Sequence, residues 1–206
     1  MNQEYTIPAA HHRVDEKIRR SHFITTVGPA DTVEDARAFI KEMRAEFDTA
    51  SHNCWAYVVG PPGSTGHAGM SDDGEPHGTA GRPMLTVLLH SGIGDIVAVV
   101  TRYFGGVKLG KGGLVRAYSG GVKAALDTIP TIEKMPMAEV EAVFGHREVT
   151  LFQRMLPEFS AEIVESSFTD VVSYRLKMPA KYVDTFQVRM ADLTNGQARV
   201  FVNPAI

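Results

Sequence analysis

A chain of 206 residues is long enough for one large domain or two small ones, and 44% hydrophobic with 22% charged content argues against a disordered chain. The formal net charge is -3 and the pI about 6.2, which disfavours a globally basic nucleic-acid binder but leaves room for a local basic face. A single cysteine, Cys54, rules out an internal disulfide and a cysteine-rich zinc site and suits a reducing compartment.

The first twenty residues carry no apolar run of signal-peptide type. Apolar stretches such as Ile96 to Val100 are far too short to cross a bilayer. A cytoplasmic protein without a membrane partner is expected.

In chain order, Tyr5 to Ile7 opens a strand, and Ser21 to Val27 reads as a second, with β-branched and aromatic residues bunched together. Asp31 is the expected N-cap of an amphipathic helix over 32–47, marked by Val33, Ala36, Phe39, Ile40, Met43 and Phe47. Cys54 to Val59 is a short apolar strand. A loop rich in Gly, Pro, Asp and Ser follows from Gly60 to Gly78, and loops this long are functional or mobile. Thr79 is the expected cap of a helix running to about Leu89, with Pro83 near its first turn.

Ile96 to Phe104 is the clearest strand, and a helix is expected from about 113 to 127. Gly120 and Gly121 inside that helix each cost about 1 kcal/mol of propensity, which implies close packing there. Pro130 to Pro136 reads as a linker. Beyond it come a strand, Ala138 to Phe144; a helix, 146–157, ended by Pro157; a hairpin, Ser160 to Phe168 and Val171 to Met178; a helix, 180–192; and a last strand, Ala198 to Val202. The order βαββαβ is that of a ferredoxin-like domain. The chain is thus expected to be α+β with two domains, 1–130 and 137–206.

The chemistry concentrates between Ile96 and Leu126, where no acidic residue occurs. Arg102, Tyr103, Lys108, Lys111 and Arg116 are interleaved there with Gly105, Gly106, Gly110, Gly112 and Gly113. Glycines let backbone N–H groups turn to a ligand, and a helix N-terminus adds partial positive charge, an arrangement suited to phosphate. The segment nearly matches a phosphate-binding P-loop, but Gly112 stands where a Mg²⁺-binding Ser or Thr belongs, so a P-loop NTPase is rejected. The alternative is a glycine-rich turn with solvated lysines.

A second group, His67, Asp72, Asp73, Glu75 and His77, lies in the long loop, with His52 just before it. Metal binding, local capping of the loop backbone, and ion pairing of Asp72, Asp73 and Glu75 with Arg82, Arg102 or Lys108 are three readings of it. The spacing fits no regular metal motif, and no metal or other cofactor is assigned. Cys54 with His52 is a weak thiol-nucleophile candidate, since a lone Cys in an apolar strand is a small hydrophobe. Ser119 lacks the G-x-S-x-G elbow, and no catalytic residue is assigned. Of Trp55, Tyr57, Tyr103 and Phe104, Tyr103 is the one expected to be partly exposed for base stacking.

The segments SHNCWAYVVG, SDDGEPHGTAGRPML and VTRYFGGVKLGKGGLVRAYSGGVKAAL resemble the signature segments of the YigZ/IMPACT family, over roughly residues 1–130, and residues 137–206 are similar to the small C-terminal domain of its bacterial members. The resemblance implies an N-terminal fold like domain IV of elongation factor G, also seen in a small-subunit ribosomal protein, and a ferredoxin-like domain similar to domain V of that factor. Eukaryotic relatives regulate translation under amino-acid stress by competing for an activator of an initiation-factor kinase, through an extra protein-binding domain that this sequence does not show. For the bacterial members it implies no catalytic residue set. A translation-linked binding protein contacting RNA, the ribosome or a translation factor is therefore the first functional expectation. An enzyme acting on a phosphate-bearing small molecule, with a pocket built from both segments, is the second. An interaction module without a ligand is the third.

Overall fold

The computed structural model describes residues 4–203 and divides into two compact units, residues 5–134 and residues 135–203 with Glu4. Among the described residues no helix is long and apolar enough to cross a membrane.

The larger unit is built on a five-stranded antiparallel sheet of order β2-β3-β6-β4-β5. Its strands are β2 (His12–Ile18), β3 (Ser21–Pro29), β4 (His52–Val59), β5 (His67–Ser71) and β6 (Ile96–Tyr103). The central β6 is buried on both faces, which explains its unbroken apolar run. Val97 and Val99 face helix α1 (Val33–Glu46), packing with Phe39, Ile40 and Met43. Ile96, Ala98 and Val100 face the opposite core under helices α2 (Gly81–Leu89) and α3 (Lys111–Leu126), with Met84, Leu88, Leu114, Tyr118 and Val122.

Helix ends depart from the sequence expectation in instructive ways. Thr32, not Asp31, caps α1: its hydroxyl accepts from Asp35 N–H while the Asp35 carboxylate accepts from Thr32 N–H, a reciprocal capping box. Asp31 is instead bonded to Lys134 at 3.0 Å. Thr79 does not cap α2; its hydroxyl donates to the Pro76 carbonyl. Helix α3 begins at Lys111, two residues earlier than expected, after Gly110 at φ 73°. Of Gly120 and Gly121 in this helix, only Gly121 is closely packed, against the Thr25 hydroxyl; a Cβ on Gly120 would meet nothing beyond its own helix within 4 Å.

Three strands lie outside the expected set. β2 pairs along β3, β5 occupies part of the expected loop and pairs with β4, and residues of the expected linker form β7 (Thr131–Lys134). β7 pairs antiparallel with β1 (Tyr5–Pro8), with Tyr5 opposite Lys134. Tyr5 Oη at 2.6 Å and Lys134 Nζ at 2.7 Å both donate to the buried Asp95 carboxylate, which fastens this ribbon to the turn before β6.

The smaller unit runs β8 (Met137–Phe144), α4 (Val149–Met155), β9 (Glu162–Phe168), β10 (Val172–Pro179), α5 (Val183–Leu193) and β11 (Arg199–Asn203). Its sheet has the order β11-β8-β10-β9, with every pair antiparallel, so the βαββαβ element order is present. The expected helix 146–157 is split: 3-10 turns at His146–Glu148 and Leu156–Phe159 flank α4, and the chain turns at Ser160 (φ 50°) rather than stopping at Pro157. Phe144, Phe152, Tyr174 and Phe186 form the aromatic centre of its core.

Candidate functional site

Side chains alternate along β6, so Arg102 falls on the same face as Ile96, Ala98 and Val100 and is carried under α3. Its guanidinium lies between aromatic rings, 5.3 Å from the Phe23 centroid and 5.3 Å from that of Phe104. Nη1 donates to Glu75 Oε1 at 2.6 Å and Nη2 to Ser21 Oγ at 3.3 Å. His52 stands opposite Arg102 in the β4–β6 register. The Tyr118 hydroxyl, from α3, donates to Glu75 Oε1 at 2.7 Å. Burial, with Cys54 and Glu75 beside it, drives its pKa far above the ordinary phenol value.

The loop after β5 is ordered by its own carboxylates. Asp72 accepts from the N–H groups of Gly78 (2.8 Å), Ala80 (3.0 Å) and Gly81 (2.9 Å), capping α2 from eight or nine residues away. Partial burial works against that charge, but the three backbone donors prevail and hold the carboxyl below its usual range. Asp73, at φ 42°, accepts from Arg44 Nη2 at 2.5 Å and from Asn53 N–H at 2.6 Å. Thus Glu75 takes the expected partner Arg102, Asp73 takes Arg44 instead, and Asp72 serves the backbone.

Of the remaining loop residues, His67 is exposed on β5, and His77 is exposed with Nδ1 3.8 Å from Asp72. Among the described residues no three His, Cys, Asp or Glu converge as a metal site would require. Cys54 is buried and its Sγ donates to the Asp72 carbonyl at 2.9 Å. Burial pushes its thiol up to about 12, so it is protonated at neutral pH and is no nucleophile. His52 Nδ1 is spent on the Asp73 carbonyl at 2.8 Å, not on Cys54. Ser119 Oγ donates back to Val115 within α3.

Beyond Arg102 the chain turns through Gly105 and Gly106 into α3. A Cβ at Gly105 would overlap the Arg20 carbonyl, so that glycine is required by packing. Lys108, Lys111 and Arg116 are exposed. The first turn of α3 has no acidic residue and no side-chain cap, leaving its backbone donors open. A cavity of about 390 Å³ lies at this end, lined by His52, Glu75, Arg102, Phe104, Lys108 and Lys111, with Pro76, Leu109, Gly110 and Leu114 completing its wall. The basic segment and the acidic-histidine loop therefore meet in one cavity. Tyr103, half-buried beside His22 (rings 6.5 Å apart), and Arg116, His67 and His77 do not line it. Phe104, 48% exposed, is the aromatic residue that does; the strand alternation that separates it from Tyr103 was the available signal.

The chain is similar to known proteins. Residues 19–126 match the family model of the Impact N-terminal domain, and residues 143–197 that of a domain of unknown function (DUF1949). The chain is 42% identical over 198 residues to the IMPACT family member YigZ of Escherichia coli K12, covering 96% of this chain and 97% of that one. It is 36% identical over 183 residues to the IMPACT family member YvyE of Bacillus subtilis 168, covering 89% and 83%. A crystal structure described as that of a hypothetical protein superposes with a TM-score of 0.77 at 41% identity, over 100% of this chain and 98% of that one. With the first domain model spanning both halves of the cavity and relatives aligned over nearly the whole length, the chain belongs to the IMPACT family.

Proposed function

We propose that this chain is a non-enzymatic, translation-linked binding protein of the cytoplasm that grips the phosphate backbone of RNA, free or within the ribosome, at the open end of α3. The observation that carries this reading is the exposure of Lys108, Lys111 and Arg116 around an uncapped helix N-terminus, with no carboxylate paired to them among the described residues. The open sheet face of the smaller unit is a poorer candidate, since Glu139, Glu141 and Glu165 stand among its Arg175 and Lys177. The link to translation rests on the family resemblance, which implies domains like IV and V of elongation factor G. The strand order β11-β8-β10-β9 fits a ferredoxin-like second domain. Residues 1–130 and 137–206 are proposed to fold as those two domains.

The test is binding of single-stranded RNA across a salt series. A Lys108→Ala/Lys111→Ala variant should bind more weakly at low salt and lose roughly 0.7 of a log–log slope unit per lost phosphate contact, with unchanged circular dichroism. The loss should be alike for different RNA sequences. Wild-type protein that binds no RNA at low salt rejects the proposal.

A second reading, an enzyme acting on a phosphate-bearing small molecule, is favoured by the meeting of His52, Glu75 and Lys111 in one cavity. Turnover of a phosphorylated metabolite that His52→Ala abolishes would favour it over the first.

A further inference from the structure

We propose that the cavity at the N-terminal end of α3 takes a nucleoside monophosphate, either as a free nucleotide or as the phosphorylated end of an RNA strand. This rests on the phosphate-binding reading above and adds the shape of the ligand. The volume, about 390 Å³, is that of a small-ligand pocket rather than a groove for a duplex. Glu75 and Arg102 line it with side chains only 3% and 6% exposed, whereas Lys108, Lys111 and Phe104 are exposed. The cavity is therefore closed on its buried side and entered from the lysine side, which suits a chain end better than a strand passing through.

The phosphate position is set by the backbone. Gly110, at φ 73°, turns the chain so that the N–H groups opening α3 are free of side-chain caps. Gly110 and Lys111 line the cavity, and a Cβ at the next residue, Gly112, would meet nothing beyond its own helix within 4 Å, so an oxygen can approach the main chain there. Lys108 and Lys111 add charge matching a monoester, which carries about -1.5 to -2 at neutral pH, where an internal phosphodiester carries one. Glu75 does not oppose this, because Arg102 pairs with it and Tyr118 donates to it.

The rest of the cavity fits a nucleoside. Phe104 has its ring on Arg102 and is 48% exposed, and with Leu109, Leu114 and Pro76 it supplies an apolar wall for a base. Arg102, held by Glu75 and Ser21, presents its guanidinium to the Phe104 ring at 5.3 Å and so fixes that wall of the cavity. His52 uses Nδ1 on the Asp73 carbonyl, which leaves Nε2 for a ribose hydroxyl.

Calorimetric titration of the full chain with AMP, UMP, adenosine and inorganic phosphate tests this, together with short RNAs ending in a 5′-phosphate, a 3′-phosphate or hydroxyls. AMP should bind more tightly than adenosine or phosphate alone. Phe104→Leu should weaken AMP roughly 5- to 100-fold while leaving phosphate unaffected, and Phe104→Tyr should restore it. Lys111→Ala should weaken both. Preference for a phosphorylated RNA end identifies the strand as the source; AMP binding without that preference identifies the free nucleotide. RNA binding with its salt slope intact but no AMP binding overturns this inference and spares the backbone reading. AMP binding without any RNA binding does the reverse, and binding of neither removes both. AMP affinity unchanged by both Phe104→Leu and Lys111→Ala overturns the cavity as its site.

Discussion

Arg102 and Glu75 meet at 2.6 Å with side chains 6% and 3% exposed, joining the central strand of the sheet to the loop before α2. Removing one partner strands the other charge away from water. Glu75→Ala should therefore cost about 3–5 kcal/mol, read as a lower urea midpoint with unchanged m-value. Replacing both, as Arg102→Met/Glu75→Leu, should cost less than either single change. A double variant as unstable as the sum of the singles would show that the pair does not act as a unit.

Asp72 gathers three backbone donors at the start of α2. Asp72→Ala should destabilise the larger unit by roughly 1–2 kcal/mol. Because the folded carboxyl titrates below its ordinary 3.8, its contribution is complete above that value and is lost as pH falls through the lower folded pKa. Thermal melts across pH 2–5 should fall less steeply for Asp72→Ala than for the wild type.

Cys54 carries the opposite sign. Its thiol is raised from 9.0 to about 12 by burial, so its share of stability is complete below about 9 and disappears as pH climbs towards 12. Tyr118 is displaced in the same direction. Cys54→Ala should flatten the alkaline loss of melting temperature and leave RNA binding intact. Native Cys54 should resist iodoacetamide at pH 8 until the protein unfolds; rapid alkylation of folded protein would contradict its burial.

Gly105 and Gly112 should respond oppositely to alanine. At Gly105 the added methyl collides with the Arg20 backbone, so Gly105→Ala should unfold or severely destabilise the unit. At Gly112 there is open space, so Gly112→Ala should raise stability by up to about 1 kcal/mol through helix propensity. It should nonetheless weaken RNA binding, since the methyl stands where an oxygen would approach. Unimpaired RNA binding by the Gly112 variant would move the contact away from this turn.

Local pattern made β6 and α3 legible, because an unbroken apolar run and a 3.6-residue period are written in neighbouring residues. β2 was hidden: its polar sequence pairs through a two-residue turn at Arg19 and Arg20, both with positive φ (45° and 71°), where Asn-Gly would be the usual signal. β7 exists because a distant edge, β1, offers it a ladder, which no short window of sequence reveals, and β5 folds back on β4 through a turn whose Gly, Pro and Ser read as plain loop. At the cavity, the glycines and lysines were legible as a group, but the burial of Arg102 required reading the period of β6 through to its end. The role of Asp72 was out of reach of cap rules, which look only a few residues ahead.

Tyr5 and Lys134 face each other across the β1–β7 ladder, so the larger unit starts and finishes at the same spot, about 5 Å apart between Cα atoms of an antiparallel pair. Topologically it is a bead hung on a closed loop of thread. Two or three residues would suffice to join its ends, and new termini can be opened in the turn-rich residues 60–66 without cutting a strand or helix. The unit is thereby suited to circular permutation, and to grafting whole into a surface loop of another protein, with its cavity end carried along intact.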